Sequence, residues 1–202
     1  MPEQERKLTS KGLKARSALI EAALASFSSG GYDSVSVAGI VSSAGLTKNH
    51  LFYHFGSKEA LAADALEQAL SLWRNELALP SSIFPEAPRQ LTFVIRKLGE
   101  GAQLPQFRLL AALRLDQASL PAGLAQQLRD YDGEIRDFWR RLLKALKGSS
   151  PLAGSEKARG LSSSIVCLLC GAAIADDGKN DMFSTQVEFI GRLLGDGGQT
   201  SV

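Results

Sequence analysis

The sequence has few or none of the features that define several large classes of protein. Its only cysteines, Cys167 and Cys170, are too few in 202 residues for the disulfide framework of a secreted domain. The N-terminus is polar, lacks an apolar core segment and so predicts no signal peptide. The best candidate for a membrane span, residues 165–175, is too short to cross a bilayer. We therefore expect a cytoplasmic protein.

Other absences narrow the fold and the chemistry. No run of residues alternates with the period of a strand, and the chain has no internal repeat or low-complexity tract. The histidines His50 and His54 lack a third histidine or a nearby cysteine, so we predict no metal site and no cofactor. The formal net charge is only +2, so a basic surface for DNA requires local clustering of basic residues.

The chain instead contains a series of amphipathic helical segments separated by glycine and proline. At 202 residues and 45% hydrophobic content, it is long enough to bury one large core or two modest ones. Pro85, Pro105 and Pro121 mark helix starts, because proline is tolerated in a first helical turn. We predict an all-α protein of about nine helices.

The most informative stretch, residues 34–61, reads as three short helices separated by sharp breaks. Ser36 is placed to cap the first, and Gly45 ends it by supplying the positive φ angle of a tight turn. Thr47 caps the second helix and Ser57 caps the third. A helix, a tight turn and another helix form the arrangement that places the second helix in a DNA major groove.

The second helix of this motif is the predicted recognition helix. Leu51, Phe52 and Phe55 are available for its inner face. The N-terminal part of a recognition helix reaches base edges, where asparagine pairs with adenine and lysine with guanine. We therefore predict that the first residues of this helix read DNA: Thr47, Lys48, Asn49 and His50.

Three short motifs within this stretch strongly resemble the DNA-binding signature of the TetR (tetracycline repressor-like) family. They are residues 44–47 (AGLT), residues 51–55 (LFYHF) and residues 57–61 (SKEAL). The signature covers about the first third of the chain, and the remainder resembles the family in length and helical pattern. The resemblance implies a three-helix N-terminal domain and a C-terminal helical domain that binds a ligand and dimerises.

The same resemblance implies phosphate contacts by Tyr53, His54 and Lys58. Ser36 joins them through its hydroxyl or through the helix N-terminus. A basic run whose members have no acidic residue between them precedes the motif, and we interpret it as contacting phosphates rather than as a solvated terminus. The run consists of Arg6, Lys7, Lys11, Lys14 and Arg16.

We predict a domain boundary at the end of the signature. Residues 1–56 form the DNA-binding helix-turn-helix domain, and residues 57–202 form the ligand-binding and dimerisation domain. Residues 57–79 read as one long connecting helix, because apolar residues recur along it at helical intervals. This helix begins beside the DNA and ends in the second domain, so it is the continuous link between the two.

The last two predicted helices, residues 156–175 and 182–194, differ from the others in character. The first interleaves large apolar residues with serine, glycine and alanine, which let helices approach closely. One interpretation makes them core helices of a single subunit. In the other, which the resemblance implies, they form a four-helix interface with a second copy. Recognition of paired half-sites on DNA independently favours a two-fold dimer.

An effector pocket is the least determined element of the sequence. Such pockets have aromatic and apolar walls with a few polar anchors. Taken singly, each candidate residue is more typical of the core or the surface than of a ligand contact. We assign the ligand-binding role to Trp73, Phe93, Phe107, Arg114, Tyr131 and Phe138.

The sequence therefore predicts a ligand-responsive transcriptional regulator and not an enzyme. The favoured form is a dimeric repressor that binds a near-palindromic operator and is released by a small molecule. One alternative is a thiol-based redox or electrophile sensor, or a dithiol enzyme, using Cys167 and Cys170; their leucine neighbours and mid-helix position favour packing instead. Another alternative is a DNA-binding protein with a filled core and no ligand.

Overall fold

The structure, a computed structural model, describes residues 10–78, 82–100, 104–146, 157–176 and 181–194. Throughout these ranges all regular secondary structure is helical, which confirms the all-α prediction. The α-helices there are α1 (Ser10–Gly30), α2 (Val37–Ser43), α3 (Lys48–Phe55), α4 (Lys58–Trp73), α5 (Ala87–Gly99), α6 (Leu104–Leu115), α7 (Ala122–Ala145), α8 (Lys157–Ala175) and α9 (Met182–Leu194).

Helices α1–α3 form an N-terminal unit around the inner face of α1. Leu19 and Phe27 of α1 are completely buried there, together with Ile40 of α2 and Leu51 of α3. Fully burying one such side chain contributes about 1.5–3 kcal/mol, so these contacts fix how α2 and α3 are oriented. Helix α1 ends at Gly30, and Gly31 with a positive φ angle of 75° begins the turn that leads to α2.

The predicted caps define the short helices of this unit. The Ser36 hydroxyl accepts a hydrogen bond of 3.1 Å from the Gly39 N–H, and the Ser57 hydroxyl accepts one of 3.0 Å from the Ala60 N–H. Gly45, in the turn between α2 and α3, has the expected positive φ angle of 64°. An L-residue with a side chain is strained in that conformation, so the turn favours glycine.

Helix α4 joins the N-terminal unit to the remaining helices. It spans Lys58–Trp73 and continues as a π-helical turn over Arg74–Ala78, so the predicted connecting helix changes its geometry near its end. Residue 79 lies outside the described residues. Arg74 stabilises the change of geometry, because its guanidinium donates two hydrogen bonds of 2.8 Å to the Glu134 carboxylate on α7.

Helices α5–α9 pack around a buried cluster of aromatic side chains. The Trp73 ring lies edge-on to Phe107 and Phe138, with centroid distances of 6.1 and 5.2 Å. Phe183 of α9 packs against Phe107 at 5.7 Å. We call this cluster the aromatic core; its members are Trp73, Phe107, Tyr131, Phe138, Trp139 and Phe183.

Helix α8 corrects one expectation from the sequence. Ala158–Ala175 is long and apolar enough to cross a membrane by length and composition, with a mean hydropathy of 1.6 over 18 residues. The prediction considered only residues 165–175. The small residues that precede them are only weakly polar, so the segment that meets the hydropathy criterion is longer than predicted. Ile165, Val166 and Leu169 of α8 are buried against the rest of the protein. Core helices have this composition too, and α8 packs between α6, α7 and α9.

Candidate nucleic-acid interface

The start of α3 is held by contacts within its first turn. The Thr47 N–H donates to His50 Nδ1 at 3.3 Å, and the Thr47 hydroxyl oxygen lies 2.8 Å from the same nitrogen. Nδ1 therefore accepts, which leaves the proton of a neutral imidazole on Nε2. The two predicted DNA-reading residues Thr47 and His50 thus also fix the backbone from which Lys48 and Asn49 project.

The outward side of α3 is free of contact with the described core. Lys48, Asn49 and His50 are exposed. Tyr53 is 64% exposed and Phe52 is 51% exposed. Helical spacing brings positions 49, 52 and 53 onto one side. We call this surface the recognition face; it consists of Lys48, Asn49, His50, Phe52 and Tyr53.

Phe52 is a residue that the sequence reasoning placed wrongly. It was expected on the inner face, which Leu51 and the half-buried Phe55 occupy. The signal that identifies it is its spacing of three from Asn49, which puts both on the exposed side of a helix. An exposed phenylalanine on this face is suited to contact a thymine methyl group.

His54 lies at the edge of this face and is partly buried. Its ring is edge-on to Tyr53, with centroids 5.0 Å apart. Burial, followed by repulsion from His50 and Arg16, lowers the pKa of His54 below its ordinary value. The imidazole is therefore uncharged near pH 7, so a phosphate contact there is a neutral hydrogen bond unless the DNA itself raises the pKa.

Lys58, a predicted phosphate contact, makes its observed contacts within the protein. Its Nζ donates a hydrogen bond of 2.5 Å to the Tyr32 carbonyl and lies 4.2 Å from the centre of the Tyr32 ring. Desolvation lowers the pKa of Lys58, while Asp33 and Asp116 act to raise it. Lys58 therefore stabilises the turn that follows α1, and its phosphate contact stays a prediction.

The same turn is bonded to the end of α6. The Asp116 carboxylate accepts hydrogen bonds from the Tyr32 N–H at 2.6 Å and the Asp33 N–H at 3.2 Å. The Ser119 hydroxyl donates to the Asp33 carboxylate. These contacts join residues more than 80 positions apart and attach the N-terminal unit directly to the C-terminal helices. Nothing in the local sequence pattern indicated them.

The remaining predicted phosphate contacts divide into exposed and engaged side chains. Lys11 and Lys14 are exposed, whereas Arg16 forms an ion pair with Asp64 and lies 5.2 Å from the centre of the Phe55 ring. The Ser36 hydroxyl caps α2. Arg16 and Ser36 thus have structural roles whether or not they touch DNA. Residues 6 and 7 lie outside the described residues.

The predicted ligand-binding residues are brought together only in part. Trp73, Phe107 and Phe138 pack against one another in the aromatic core, where Tyr131 is also buried. Arg114 forms an ion pair with Asp132, and Phe93 lies apart beside Phe84. The described cluster is therefore filled by its own side chains. Its role in ligand binding stays a prediction.

The two cysteines differ in their surroundings. Cys167 is exposed, whereas Cys170 is buried and its sulfur accepts a contact of 3.4 Å from Arg114 Nη1. Burial raises the pKa of the Cys170 thiol to about 11, even though Arg114 acts to lower it. Cys170 is therefore protonated near pH 7, which is the opposite of what a reactive dithiol requires.

Comparison with known proteins identifies the helix-turn-helix. Residues 19–65 match the family model described as bacterial regulatory proteins, tetR family. Residues 19–65 therefore form a helix-turn-helix domain of the tetR family. The matched residues include the end of α1, the capped helices α2 and α3 and the start of α4, so the signature read from the sequence and the family match coincide.

Two relatives of known sequence are also transcriptional regulators of the helix-turn-helix type. This chain is 29% identical over 123 residues to the HTH-type transcriptional regulator RutR of Escherichia coli O157:H7. The matched stretch is 61% of this chain and 56% of that relative. The RutR protein of Escherichia coli K12 is 29% identical over 121 residues, covering 60% of this chain and 55% of its own. The chain thus spans little more than half the length of these relatives.

Solved structures share the fold over most of the chain. A regulator from Agrobacterium tumefaciens superposes with a TM-score of 0.74 at 19% identity, over 89% of this chain and 96% of that one. AibR, solved in complex with isovaleryl coenzyme A and operator DNA, gives a TM-score of 0.70 at 15% identity, over 90% and 98% of the two chains. At such identities the likeness establishes the fold, which includes the helices beyond the signature.

Proposed function

We propose that this TetR-family regulator is a dimeric repressor that binds a near-palindromic operator and leaves it when a small molecule binds its C-terminal domain. The observation that carries the proposal is the recognition face, on which polar and aromatic side chains project from a helix fixed by caps and a buried Leu51. A rigid helix with a free outer side is what major-groove reading requires. We place the domain boundary at residue 56, directly before Ser57.

Within the recognition face, we assign base reading to Lys48 and Asn49. Both are exposed in the first turn of α3, the part of a recognition helix that reaches base edges. Thr47 and His50 support them through the first-turn contacts and lie at the same end. Tyr53 and His54 are assigned to phosphates, which fix the register of the protein on DNA but carry no base information.

Dimerisation is supported by an uncovered apolar surface on α8 and α9. Leu168 of α8 and Phe189 and Leu193 of α9 are exposed large hydrophobic residues. A groove of about 570 Å³ runs between the two helices past Gly171. Contiguous exposed apolar surface marks interaction sites, and a second copy of the same chain fits it by two-fold symmetry.

A ligand site in the aromatic core is supported by unpaired polar atoms. Among the described residues, Trp73 Nε1, Trp139 Nε1 and the Tyr131 hydroxyl are buried without a hydrogen-bond partner. A buried unpaired polar group costs about 1–3 kcal/mol, and a ligand that offers acceptors recovers that energy. AibR, of the same fold, has been solved with both a ligand and operator DNA.

The filled state of the same cluster supports a second candidate, a DNA-binding protein without a ligand. Trp73, Phe107 and Phe138 are at most 7% exposed and already pack edge to face. In this case the unpaired polar atoms only reduce stability. Small molecules would be added to the purified protein and its unfolding measured. If none of them shifts the unfolding transition, this second candidate is favoured.

For the repressor, α4 provides the link between ligand and DNA. Its first residue, Lys58, contacts the turn after α1, and its last, Trp73, lies in the aromatic core. Two recognition helices must lie about 34–36 Å apart to read both half-sites. A ligand that tilts α4 releases DNA only by its preference for the tilted state, and tenfold release requires about 1.4 kcal/mol of differential affinity.

The test is binding of the purified protein to the DNA upstream of its own gene, measured by footprinting and by fluorescence anisotropy at several salt concentrations. We expect a protected near-palindromic site and an affinity that falls steeply with salt. A scrambled duplex of equal length and composition is the control. Equal affinity for both duplexes would contradict sequence-specific repression.

Dimerisation has its own test in the substitution Gly171→Leu. A Cβ at Gly171 meets nothing within 4 Å in the protomer, and Gly171 lines the groove between α8 and α9, so a larger side chain there obstructs a second copy seated on the groove. Gly133→Leu on α7 is the matched control, because that helical glycine also has open space around it. We expect sedimentation to give a dimer for the control and monomer for Gly171→Leu. Dimers in both would place the interface elsewhere.

A further inference from the structure

A second cavity lies outside the aromatic core, between α1, α6 and the end of α8. Its volume is about 770 Å³, and none of the predicted ligand-binding residues is among its described lining. Small-molecule sites have volumes of roughly 300–1,000 Å³. The walls are mainly apolar, and two large side chains at the cavity are conspicuously exposed, Leu115 at 78% and Ile174 at 55%. Covering such side chains favours an apolar occupant.

The charges at the cavity are unbalanced. Its described lining contains three carboxylates, those of Glu21, Asp116 and Asp176. The same lining contains a single guanidinium, that of Arg108. Arg108 is turned toward the end of α8, where its Nε donates to the Ala173 carbonyl at 2.7 Å and its Nη2 to the Asp176 carbonyl. Arg108 Nη2 also lies 3.6 Å from Asp176 Oδ1, and that carboxylate accepts a hydrogen bond of 3.0 Å from the Phe183 N–H, so Asp176 is compensated. Asp116 acts on the nearby Lys58, so the remaining surplus of negative charge at the cavity is small and includes the exposed Glu21.

Three helices also end at this cavity. Residues 28–30 of α1, Leu115 of α6 and Ile174 of α8 all line it, and each belongs to the last turn of its helix. The last carbonyls of a helix lack partners within the helix, and its C-terminus carries a partial charge of about −0.5. Arg108 already bonds to the end of α8, so the ends of α1 and α6, together with the carboxylates of Glu21 and Asp116, are what favour a cation and disfavour an anion.

We propose that this cavity binds a hydrophobic organic cation, such as a protonated or quaternary amine, with its charge near Asp116. The Asp116 carboxylate also accepts the hydrogen bonds from the Tyr32 and Asp33 N–H groups. Both bonds go to one carboxylate oxygen, and a cation beside the carboxylate weakens them by drawing on the same negative charge, so the occupied cavity loosens the turn between α1 and α2. The effect of that loosening on operator affinity rests on the proposed function; the binding and the loosened turn do not.

The probe is tetraphenylphosphonium, a hydrophobic cation, compared with tetraphenylborate, an anion of the same shape. Isothermal titration of the full chain without DNA should give saturable binding of the cation, with at least tenfold weaker binding of the anion. Equal affinities for the cation and the anion would show that the charge of the ligand does not affect binding, and this result would overturn the proposal. Because no DNA is present, this result is independent of whether the repressor assignment holds.

Two variants locate the site. Ala25→Trp places a large side chain in the cavity from an exposed position on α1 and should weaken the cation by at least tenfold. Glu21→Lys reverses an exposed charge at the cavity and should weaken it by about three- to tenfold at low salt, since exposed charge pairs are individually weak. Glu188→Lys, an exposed reversal on α9 away from the cavity, is the control. Unchanged affinity in both cavity variants would overturn the assignment.

Hydrogen exchange reports on the turn itself. Saturation with the cation should speed exchange of the Tyr32 and Asp33 amides several-fold, because both donate to Asp116 in the free protein. The amide of Leu51, within α3, should be unaffected. If the cation bound while Tyr32 and Asp33 exchanged more slowly, competition for Asp116 would be excluded and that part of the proposal would be wrong.

Discussion

The recognition face and the aromatic core contain similar residues in opposite situations. On α3, Phe52 and Tyr53 project into solvent from a backbone that caps and Leu51 hold in place. In the core, Trp73 and Tyr131 are held by one another and by their neighbours, with polar atoms that find no partner. On the recognition face, different residues therefore stabilise the fold and contact the DNA. In the aromatic core the same side chains would both stabilise the fold and contact a ligand, so any substitution there changes the packing of the protein.

The largest expected effect tests this contrast with one aromatic residue from each region. Trp73→Ala should lower the free energy of unfolding by about 3–5 kcal/mol, because it leaves a cavity among Phe107 and Phe138. Phe52→Ala, at a side chain that is half exposed, should change it by about 0.5 kcal/mol or less. Urea denaturation followed by circular dichroism measures both. Comparable losses in the two variants would remove the contrast.

The next effect concerns recognition without loss of stability. Asn49→Ala should reduce discrimination between operator variants by about 1–3 kcal/mol, because a bidentate contact to one base is lost. Lys14→Ala, at an exposed site on α1, is the control and should weaken all duplexes alike while reducing the salt slope by about one. Binding to a panel of single-base operator variants distinguishes them. A uniform loss for Asn49→Ala would show that it contacts phosphate rather than a base.

A smaller effect tests the unpaired polar atoms of the core. Tyr131→Phe removes a buried hydroxyl that has no partner, so the free protein should become more stable by about 1 kcal/mol. Tyr53→Phe, at an exposed hydroxyl, should leave its unfolding unchanged. Thermal unfolding of the two variants beside the unaltered protein is the measurement. A destabilised Tyr131→Phe would mean that water satisfies the hydroxyl in solution.

The smallest effect is the pH dependence that His54 contributes. Its pKa is lowered by burial and by nearby positive charge, so the folded protein binds this proton less readily than the unfolded chain. The stabilising contribution is therefore present above the ordinary histidine pKa of about 6.5 and is lost as pH falls below it. His54→Gln should flatten the dependence of unfolding on pH between 7.5 and 5.5.

A phosphate at His54 would act in the opposite direction. The negative charge favours the imidazolium, so operator affinity should rise modestly as pH falls over the same range. The unaltered protein and His54→Gln are compared by anisotropy at constant ionic strength. A pH dependence that survives the substitution would assign the effect to another group.

The sequence predicted the N-terminal unit well because its determinants are local. Ser36, Gly45 and Ser57 act within three or four residues of themselves, and the structure has each in its predicted place. The orientation of Phe52 was within reach of the same reasoning, since spacing from Asn49 decides it. The bounds of the last two helices could also be predicted from the local sequence. The observed bounds differ from the predicted ones by at most one residue.

The contacts that join the two units could not be predicted in this way. Asp116 bonds to Tyr32 across 84 positions, and Arg108 bonds to the end of α8 across 65. Such pairs depend on how helices cross, which periodicity does not specify. The aromatic residues were correctly recognised as a group, but whether they enclose a ligand or one another depends on packing that side-chain type alone does not determine.

The close approach of Gly31 to Asp116 restricts how this protein can diverge. Gly31 has a φ angle of 75°, and a Cβ there would overlap the Asp116 carboxylate. The two positions are therefore coupled: a side chain at 31 would be strained at this φ angle and would push the Asp116 carboxylate away from its bonds to the turn. Related sequences should accordingly keep Gly31 and Asp116 together or lose both. The presence of the pair in a related sequence would then indicate that the turn after α1 is still bonded to the end of α6.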